Sequence, residues 1–348
     1  MGLSSCLSVQ RFTIEVQEPA QVTFPADIKN VLIVNNSAKQ PSAMGITRVY
    51  NGIPVEGFDL NLDSIGWIAA FSAAKNIRAS RFFDQVFFYK APLREDSDCL
   101  ATVPLSQTLR DDIFQSHDHD HDLDGIISID RMLVQLEQSV RCNSADPLDF
   151  HFSHFVEAQL NATLTSSIYL YDSESPLTTL TLADSLSFQE TFFASDTSVF
   201  LKEIPESLIN ELAYRLGEKL AGYLYPYWVQ KQRTVYTGYD SRMQEALSFM
   251  RNKKWDKAEA IWTDEYNRNS QALSKGKQAN NIAVANEMQD QLDQALHWAL
   301  TAEELFRESQ RSPESNERVW INAYIADLQK RIQDNRLLNI QWGMGSGE

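Results

Sequence analysis

Histidine and aspartate alternate over residues 117–122 of this sequence, and Asp124 follows after Leu123. This density of ligand-type side chains suggests a metal site. Four residues match positions 1, 3, 5 and 6 of an EF-hand calcium loop: Asp120, Asp122, Asp124 and Gly125. Position 12 of that motif supplies a bidentate carboxylate, but here it is Arg131, and the nearest acid, Asp130, comes one residue early. The pattern therefore argues against a tight calcium site.

A weaker metal site is still compatible with this run, because imidazole and carboxylate groups bind Zn²⁺, Ni²⁺ and Cu²⁺. Its candidate ligands are His117, His119, His121, Asp120, Asp122 and Asp124. The alternative is a polar turn between a helix over residues 106–115 and a strand that begins at Gly125. We expect no dedicated cofactor.

No other residues form a catalytic set. His151 and His154 are three apart on a predicted strand, so their side chains face opposite sides of the sheet. His297 lies on a predicted helix. The zinc-protease, serine-hydrolase, phosphate-loop and dinucleotide-binding motifs are absent from the sequence. We predict no catalytic residues, and a metal-dependent enzyme centred on residues 117–124 remains the alternative.

A second dense patch is aromatic and covers residues 223–228, followed by Arg233 and Tyr236. Within it, Tyr227, Trp228 and Arg233 are candidate partner-binding residues, with the Arg233 guanidinium over an aromatic face. The alternative is that these side chains pack between domains.

The N-terminus resembles a lipobox, the site at which bacterial lipoprotein precursors are cleaved before an acylated cysteine. Leu3-Ser4-Ser5-Cys6 places small residues before a thiol, and residues 8–21 read as a largely polar tether. This hypothesis makes Cys6 the lipidated residue and Met1-Gly2 a remnant of the leader. The alternative is an ordinary surface cysteine.

Composition limits the classes of partner. The formal net charge is -16, and 30 acidic but only 17 basic residues precede Asp240. An acidic surface without a basic stripe excludes nucleic acid as an expected partner. Cys99 and Cys142 are the other cysteines, and they either pair or stay as separate thiols.

Residues 23–238 alternate between strand and helix patterns. The predicted elements are strand 31–34, a loop over 40–60, helix 63–81, strand 83–89, helix 106–115, strand 125–136, a long β-hairpin over 150–188, helix 205–225 and strand 228–236. This order predicts an α+β (mixed α/β) domain with a mixed sheet.

After Gly238 the pattern is helical throughout and resembles tetratricopeptide repeats. Small residues recur where two helices of a hairpin would cross, and Ala258 and Ala295 are 37 apart, close to that repeat's period of about 34. A generic helical bundle is the alternative. The predicted division is therefore 1–22 lipobox remnant and tether, 23–238 α/β domain, and 239–348 helical repeats with a capping helix.

The first helix of each repeat hairpin would line a concave face. The candidate partner-binding residues there are Gln244, Gln278, Asn281 and Ala285. Because two hairpins form only a small surface, the repeats either bind a partner as one wall of a composite surface or pack against the sheet domain.

Together, the lipobox, the strand 28–34, the segment 220–228, Arg233 and Tyr236, and the Trp-rich helical pair resemble an uncharacterised family of Bacteroidetes envelope lipoproteins. The sheet domain is more loosely similar to the α/β domain of curli-assembly and penicillin-binding-protein-activator lipoproteins. The resemblance implies lipid anchoring to the outer membrane and binding of other proteins there, and it transfers no catalytic residues.

From the sequence we therefore expect a non-catalytic cell-envelope lipoprotein that acts as a protein- or peptide-binding scaffold. The alternative from a different class is the hydrolase or metal-dependent enzyme centred on residues 117–124. A third possibility is a subunit of an outer-membrane secretion or assembly complex, in which the hairpin 150–188 pairs with copies of itself.

Overall fold

The computed structural model describes residues 9–56, 59–94, 98–116, 123–143, 152–171, 173–194 and 206–344. These residues form two compact units. The helical unit joins the residues up to Pro19 with those from Pro226 onward, and the sheet unit is Ala20–Tyr225. The predicted boundaries fall after residues 22 and 238, whereas the two compact units meet after residues 19 and 225, because the chain enters the helical unit twice.

In chain order the elements are β1 (Val9–Glu18), β2 (Asn30–Asn35), β3 (Ile46–Tyr50), β4 (Ile53–Pro54), α1 (Ile65–Ser80), β5 (Gln85–Phe88), α2 (Gln107–Ser116), β6 (Gly125–Asn143), β7 (Phe152–Leu170), β8 (Thr178–Ala194), α3 (Glu206–Gly222), β9 (Tyr227–Tyr236), α4 (Ser241–Arg251), α5 (Trp255–Arg268), α6 (Ala272–Met288), α7 (Leu292–Glu308) and α8 (Asn316–Gln341).

The sheet unit contains a mixed sheet, as the alternation of strand and helix patterns predicts. β2 is its central parallel strand, paired with β5 on one side and with the start of β6 on the other. β3 pairs in parallel with the later part of β6, while β7 and β8 add antiparallel strands. The predicted α+β class, followed by a run of helices, is confirmed.

Two predictions about extended segments were wrong. Residues 9–18, interpreted as part of a tether, form β1, whose apolar side chains Phe12, Ile14 and Val16 follow the period of two that a strand requires. The predicted loop over 40–60 contains the short hairpin of β3 and β4. Glycine and proline in that region mark its turn, where Asn51 and Gly52 have positive φ, rather than a structureless loop.

The core of the sheet unit lies mainly under α1 and α3, which cover one face of the sheet. Ile33, Ile127 and Leu164 from the strands meet Ala69 and Leu216 from the two helices, and all five are buried. The helices cross at Gly217, where a Cβ atom would lie 2.1 Å from the carbonyl oxygen of Ala69. A smaller apolar cluster on the other face packs under α2.

The helical unit repeats one turn geometry. The predicted hairpins α4–α5 and α6–α7 are present, and each has a left-handed residue in its turn, Lys253 in the first and Asp290 in the second. The amide of the residue after the left-handed one donates backward in the same way, Lys254 N–H to Phe249 O and Gln291 N–H to Asn286 O, both at 2.9 Å. The five helices are compatible with a helical repeat.

The crossing of α1 and α3 gives a first prediction. Gly217→Ala forces a methyl group into backbone, so we expect it to destabilise the sheet unit by about 2–3 kcal/mol. Gly222→Ala, in the same helix with nothing within 4 Å of its Cβ position, is the matched control. Calorimetry of the full chain measures both, and equal unfolding midpoints for the two variants would refute the close crossing.

Candidate ligand-binding cavity

β1 and β9 form a two-stranded antiparallel ribbon that runs along the helical unit, with Val9 opposite Tyr236 and Glu18 opposite Tyr227. Side-chain amides of α6 hold the backbone of β9. Asn281 accepts from Tyr236 N–H at 2.8 Å and donates to Tyr236 O at 2.7 Å, and Asn280 donates to Thr234 O at 2.9 Å. Because these bonds go to main-chain atoms, α6 binds β9 as an extended chain.

Most of the candidate residues of the concave repeat face are not accessible to a partner. Of the candidates there, Gln278, Asn281 and Ala285 are buried, because α6 is the central helix of the unit and β9 covers it. Gln244 is exposed, but its side chain donates to Gly238 O within the same unit. The surface that we predicted for an outside partner is occupied by the chain's own strand.

A buried ion pair joins β9 to α6. Arg233 donates to both oxygens of Glu287, from Nε at 2.6 Å and from Nη2 at 2.7 Å. Tyr324 Oη donates to the same carboxylate at 2.9 Å and Arg331 Nη1 at 2.8 Å, both from α8. The carboxylate is completely buried, so these four donors replace the water that it loses.

The ionisation of this cluster follows from its charges. Burial opposes the charge on Arg233, but the hydrogen bonds and charge of Glu287 outweigh it and raise the pKa of the guanidinium. Burial and the same carboxylate raise the pKa of Tyr324 well above its usual value, so its hydroxyl stays a donor. Arg233 also lies over the Tyr324 ring, 4.9 Å from its centroid. This ring belongs to α8 and not to the aromatic patch of residues 223–236, and the contact lies inside the unit.

An open cavity of about 460 Å³ lies beside this cluster. Its lining residues are Arg11, Lys231, Gln232, Arg233, Thr234, Asn280, Trp320, Ala323, Tyr324 and Asp327. Two of the cations are already engaged, since Arg233 and Lys231 both contact Asp327. The walls are therefore held in place by their own charges, and the cavity is formed before any ligand arrives.

Arg11 differs from the other cations of the cavity. It is exposed on β1, and its guanidinium lies over the ring of Trp320, 4.9 Å from the centroid. Within the described part of the chain it contacts no carboxylate at ion-pair distance. Arg11, Trp320 and Glu287 were not among the predicted site residues. The alternation of Phe12, Ile14 and Val16 was the signal that could have revealed β1.

The other aromatic candidates, Tyr227 and Trp228, lie at the opposite end of the ribbon from Tyr236. Trp228 is 66% exposed, and Tyr227 contacts Glu18 through its hydroxyl at 3.2 Å. They are available at the surface but do not line the cavity.

Of the metal-site candidates, only Asp124 is among the described residues. His117, His119, His121, Asp120 and Asp122 lie outside the described residues, as does Cys6. Asp124 is described, and its carboxylate accepts from the backbone N–H groups of Lys29 and Asn30 at 2.7 and 2.6 Å. That role joins β2 to β6. Among the residues that the structure describes, no cluster of three or more histidine, cysteine, aspartate or glutamate side chains could hold a metal ion.

The described residues also include Cys99, Cys142 and His154. Cys99 is buried and forms no disulfide, and burial raises the pKa of its thiol. His154 is on β7, opposite Cys142 of β6, while His151 lies outside the described residues.

Among the described residues of the sheet unit, one acid is buried, Asp130, at a β-bulge in β6. Its Oδ1 accepts from Ser128 Oγ at 2.6 Å and from Asn36 Nδ2 at 3.3 Å. Burial raises its pKa, and the bonds from Ser128, Ser167 and Asn36 offset part of that effect. Asn36 also donates to Val103 O, so the acid helps to hold the segment before α2 on the sheet.

Two protein-family models match this chain. DUF8603, a domain of unknown function, matches residues 28–236, more than half of the chain. The chain belongs to the DUF8603 family. The DUF8603 match covers the elements from β2 to β9, and DUF6340, a second domain of unknown function, matches residues 244–330 in the helices. A search of curated proteins finds no match.

Two solved structures are similar at low scores. A hemagglutinin homolog from Helicobacter pylori has 8% identity and a TM-score of 0.25, over 57% of this chain and 84% of that chain. A DUF330 protein from Xanthomonas campestris has 9% identity and a TM-score of 0.22, over 58% of this chain and 87% of that chain. Scores this low support no inference about fold or function. In the described part of the chain, no helix has the length and apolar character needed to cross a membrane.

The buried carboxylate gives a second prediction. Glu287→Ala leaves Arg233 buried without its partner, and we expect a loss of about 3–5 kcal/mol in the stability of the helical unit. Tyr324→Phe keeps the ring and removes one hydrogen bond, for a loss of about 1.5 kcal/mol.

Glu304→Ala is the control, because it breaks only an exposed pair with Arg307. Chemical denaturation followed by circular dichroism measures all three variants. An equal stability of the Glu287 and Glu304 variants would show that the buried cluster contributes nothing.

Proposed function

We propose that this chain is a non-catalytic cell-envelope lipoprotein of the Bacteroidetes type, which binds a protein or peptide partner through the cavity of its tetratricopeptide-like helical unit. No cofactor takes part in this function, and nucleic acid is not a partner.

The open cavity beside the Arg233–Glu287 pair supports this proposal best. Its volume of about 460 Å³ falls within the range of specific ligand sites, roughly 300–1,000 Å³. Its walls combine an aromatic ring, amide groups and cations, the side-chain types that recognise peptides. Because the ion pairs already fix Arg233, Lys231 and Asp327, these side chains lose little conformational entropy when a ligand binds.

The scaffold role itself fits the way that the helical unit is built. α6 already binds one extended segment, β9, by bonds to its main chain, and Trp228 leaves a large aromatic surface exposed on that strand. A partner therefore meets the ribbon and α8, not the buried face of α6. This replaces the concave face that the sequence suggested.

Membrane attachment through Cys6 is part of the proposal. The lipobox-like Leu3-Ser4-Ser5-Cys6 supports it, and β1 begins at Val9, three residues later. A chain of that length spans at most about 10 Å, so a lipid on Cys6 would hold the ribbon close to the outer membrane.

The alternative of self-assembly through the hairpin has less support. β8 pairs with β7 alone among the described strands, which leaves one edge open. However, Lys219 donates to Ala183 O at 2.8 Å, and Ser185 N–H donates to the Asp184 side chain at 2.8 Å. Charged groups of this kind protect an edge strand from pairing with another chain.

Filling the cavity tests the binding function. Ala323 is exposed and lines the cavity, so we expect Ala323→Trp to block it without disturbing the core. Ala326→Trp, also exposed on α8 but outside the cavity, is the matched control. Proteins captured from envelope extract are identified by mass spectrometry and retested as purified partners. We expect at least a tenfold loss of affinity for Ala323→Trp only, and equal affinities of the two variants would exclude the cavity.

Membrane attachment is tested separately with the precursor expressed in a Bacteroidetes host. We expect Cys6→Ser to move the protein from the membrane fraction to the aqueous fraction of a detergent partition. A mutant that stays in the membrane fraction would defeat the lipoprotein hypothesis.

A further inference from the structure

We propose that the group bound in this cavity is a carboxylate, recognised by Arg11 and belonging to a peptide, either at its C-terminus or on an acidic side chain. This inference rests on the proposed function and gives the ligand a chemical class. Trp320 acts as a positioning residue, since it holds the guanidinium and not the ligand.

The charges around the cavity are paired with one another, except for Arg11. The ion-pair network beside the cavity contains four cations, Lys231, Arg233, Lys330 and Arg331. It also contains five carboxylates, Glu18, Glu287, Asp290, Asp327 and Asp334, of which Asp290 is exposed and contacts Arg331 at 3.8 Å. Each of these charges has a partner within the network, so none is left to attract a ligand. Arg11 stands outside this network, as a cation without an ion-pair partner among the described residues, in a protein whose overall charge is -16.

The position of Arg11 suits a planar anion. The guanidinium lies over the Trp320 ring, and within the described residues the N–H donors along its edge have no hydrogen-bond partner, so that edge is free to bind. That edge matches two carboxylate oxygens, as in bidentate arginine–carboxylate pairs. The ring also restricts the side chain before binding, which lowers the entropy that the ligand would otherwise cost.

The rest of the wall favours a singly charged group over phosphate. Asp327 lines the same cavity, and its carboxylate is already shared by Arg233 and Lys231. A dianion would face that negative charge with only Arg11 to compensate for it. A carboxylate needs only one cation. Gln232, Thr234 and Asn280 complete the lining with amide and hydroxyl groups that suit the backbone of a peptide next to the carboxylate.

Three acetylated peptides test the inference by isothermal titration calorimetry with the full chain. The first is tetra-alanine with a free C-terminal carboxylate, the second is its C-terminal amide, and the third is the amide with glutamate at one position. Inorganic phosphate is titrated in parallel. We expect the first or the third peptide, or both, to bind, and the uncharged amide to bind at least tenfold more weakly. The peptide that binds identifies the source of the carboxylate.

Variants of Arg11 assign the binding to this residue. We expect Arg11→Gln to weaken carboxylate binding at least tenfold, because a hydrogen-bonded charge pair is lost. Arg11→Lys keeps the charge but not the planar fork, so we expect an intermediate affinity. Arg307→Gln removes the same charge from an exposed site on α7 and is the matched control, with unchanged affinity. Arg11 is exposed on its strand, and circular dichroism verifies that the variants fold.

Three results would overturn the inference: equal binding of the uncharged amide, tighter binding of phosphate than of either carboxylate peptide, or an unchanged affinity of Arg11→Gln. Failure of every peptide to bind would overturn it as well. The proposed function is judged apart from this, because capture of an envelope partner that Ala323→Trp abolishes would stand even if no carboxylate binds.

Discussion

The burial of one carboxylate constrains the helical unit more than any other interaction. Glu287 has no exposure to water, and an isolated ion in that position would be too costly to keep. Its four donors come from β9 and α8, which are far apart in the sequence, while Glu287 itself is on α6. The ribbon and the last helix must therefore dock together before the charge is satisfied. The cavity between them is a consequence of that docking.

The same constraint explains why the inner face of the helices is closed to an outside partner. Asn280 and Asn281 satisfy main-chain groups of β9 that would otherwise be buried without hydrogen bonds. Exchanging β9 for a foreign peptide would break these bonds and leave Glu287 without Arg233. Binding is therefore directed to the outer side of the ribbon, where Arg11 and Trp320 are placed, and the helical unit serves as a rigid support for that surface.

The sheet unit is organised by different physics, mainly apolar burial. β6 is long enough to pair with β2 and then β3 along one edge and with β7 along the other. The bulge at Asp130 shifts its alternation, so that apolar residues on both sides of the bulge still face α1 and α3. The close helix crossing depends on Gly217. These features make the unit stable without identifying a ligand.

Local patterns along the chain determined most of the elements. Periodicity is a property of neighbouring residues, so it predicts secondary structure without knowledge of the fold. Such patterns marked the apolar run at β2, the long hairpin of β7 and β8, the helices α1 and α3, and the small residues of the helical pairs. Which distant segments meet was decided only by tertiary structure. β1 lies more than 200 residues from β9 in the sequence, and no local pattern specifies that pairing. The residue type alone made Arg233 a candidate for binding. Its burial against Glu287, which leaves Arg11 as the cation open to a ligand, follows from the packing of β9, α6 and α8.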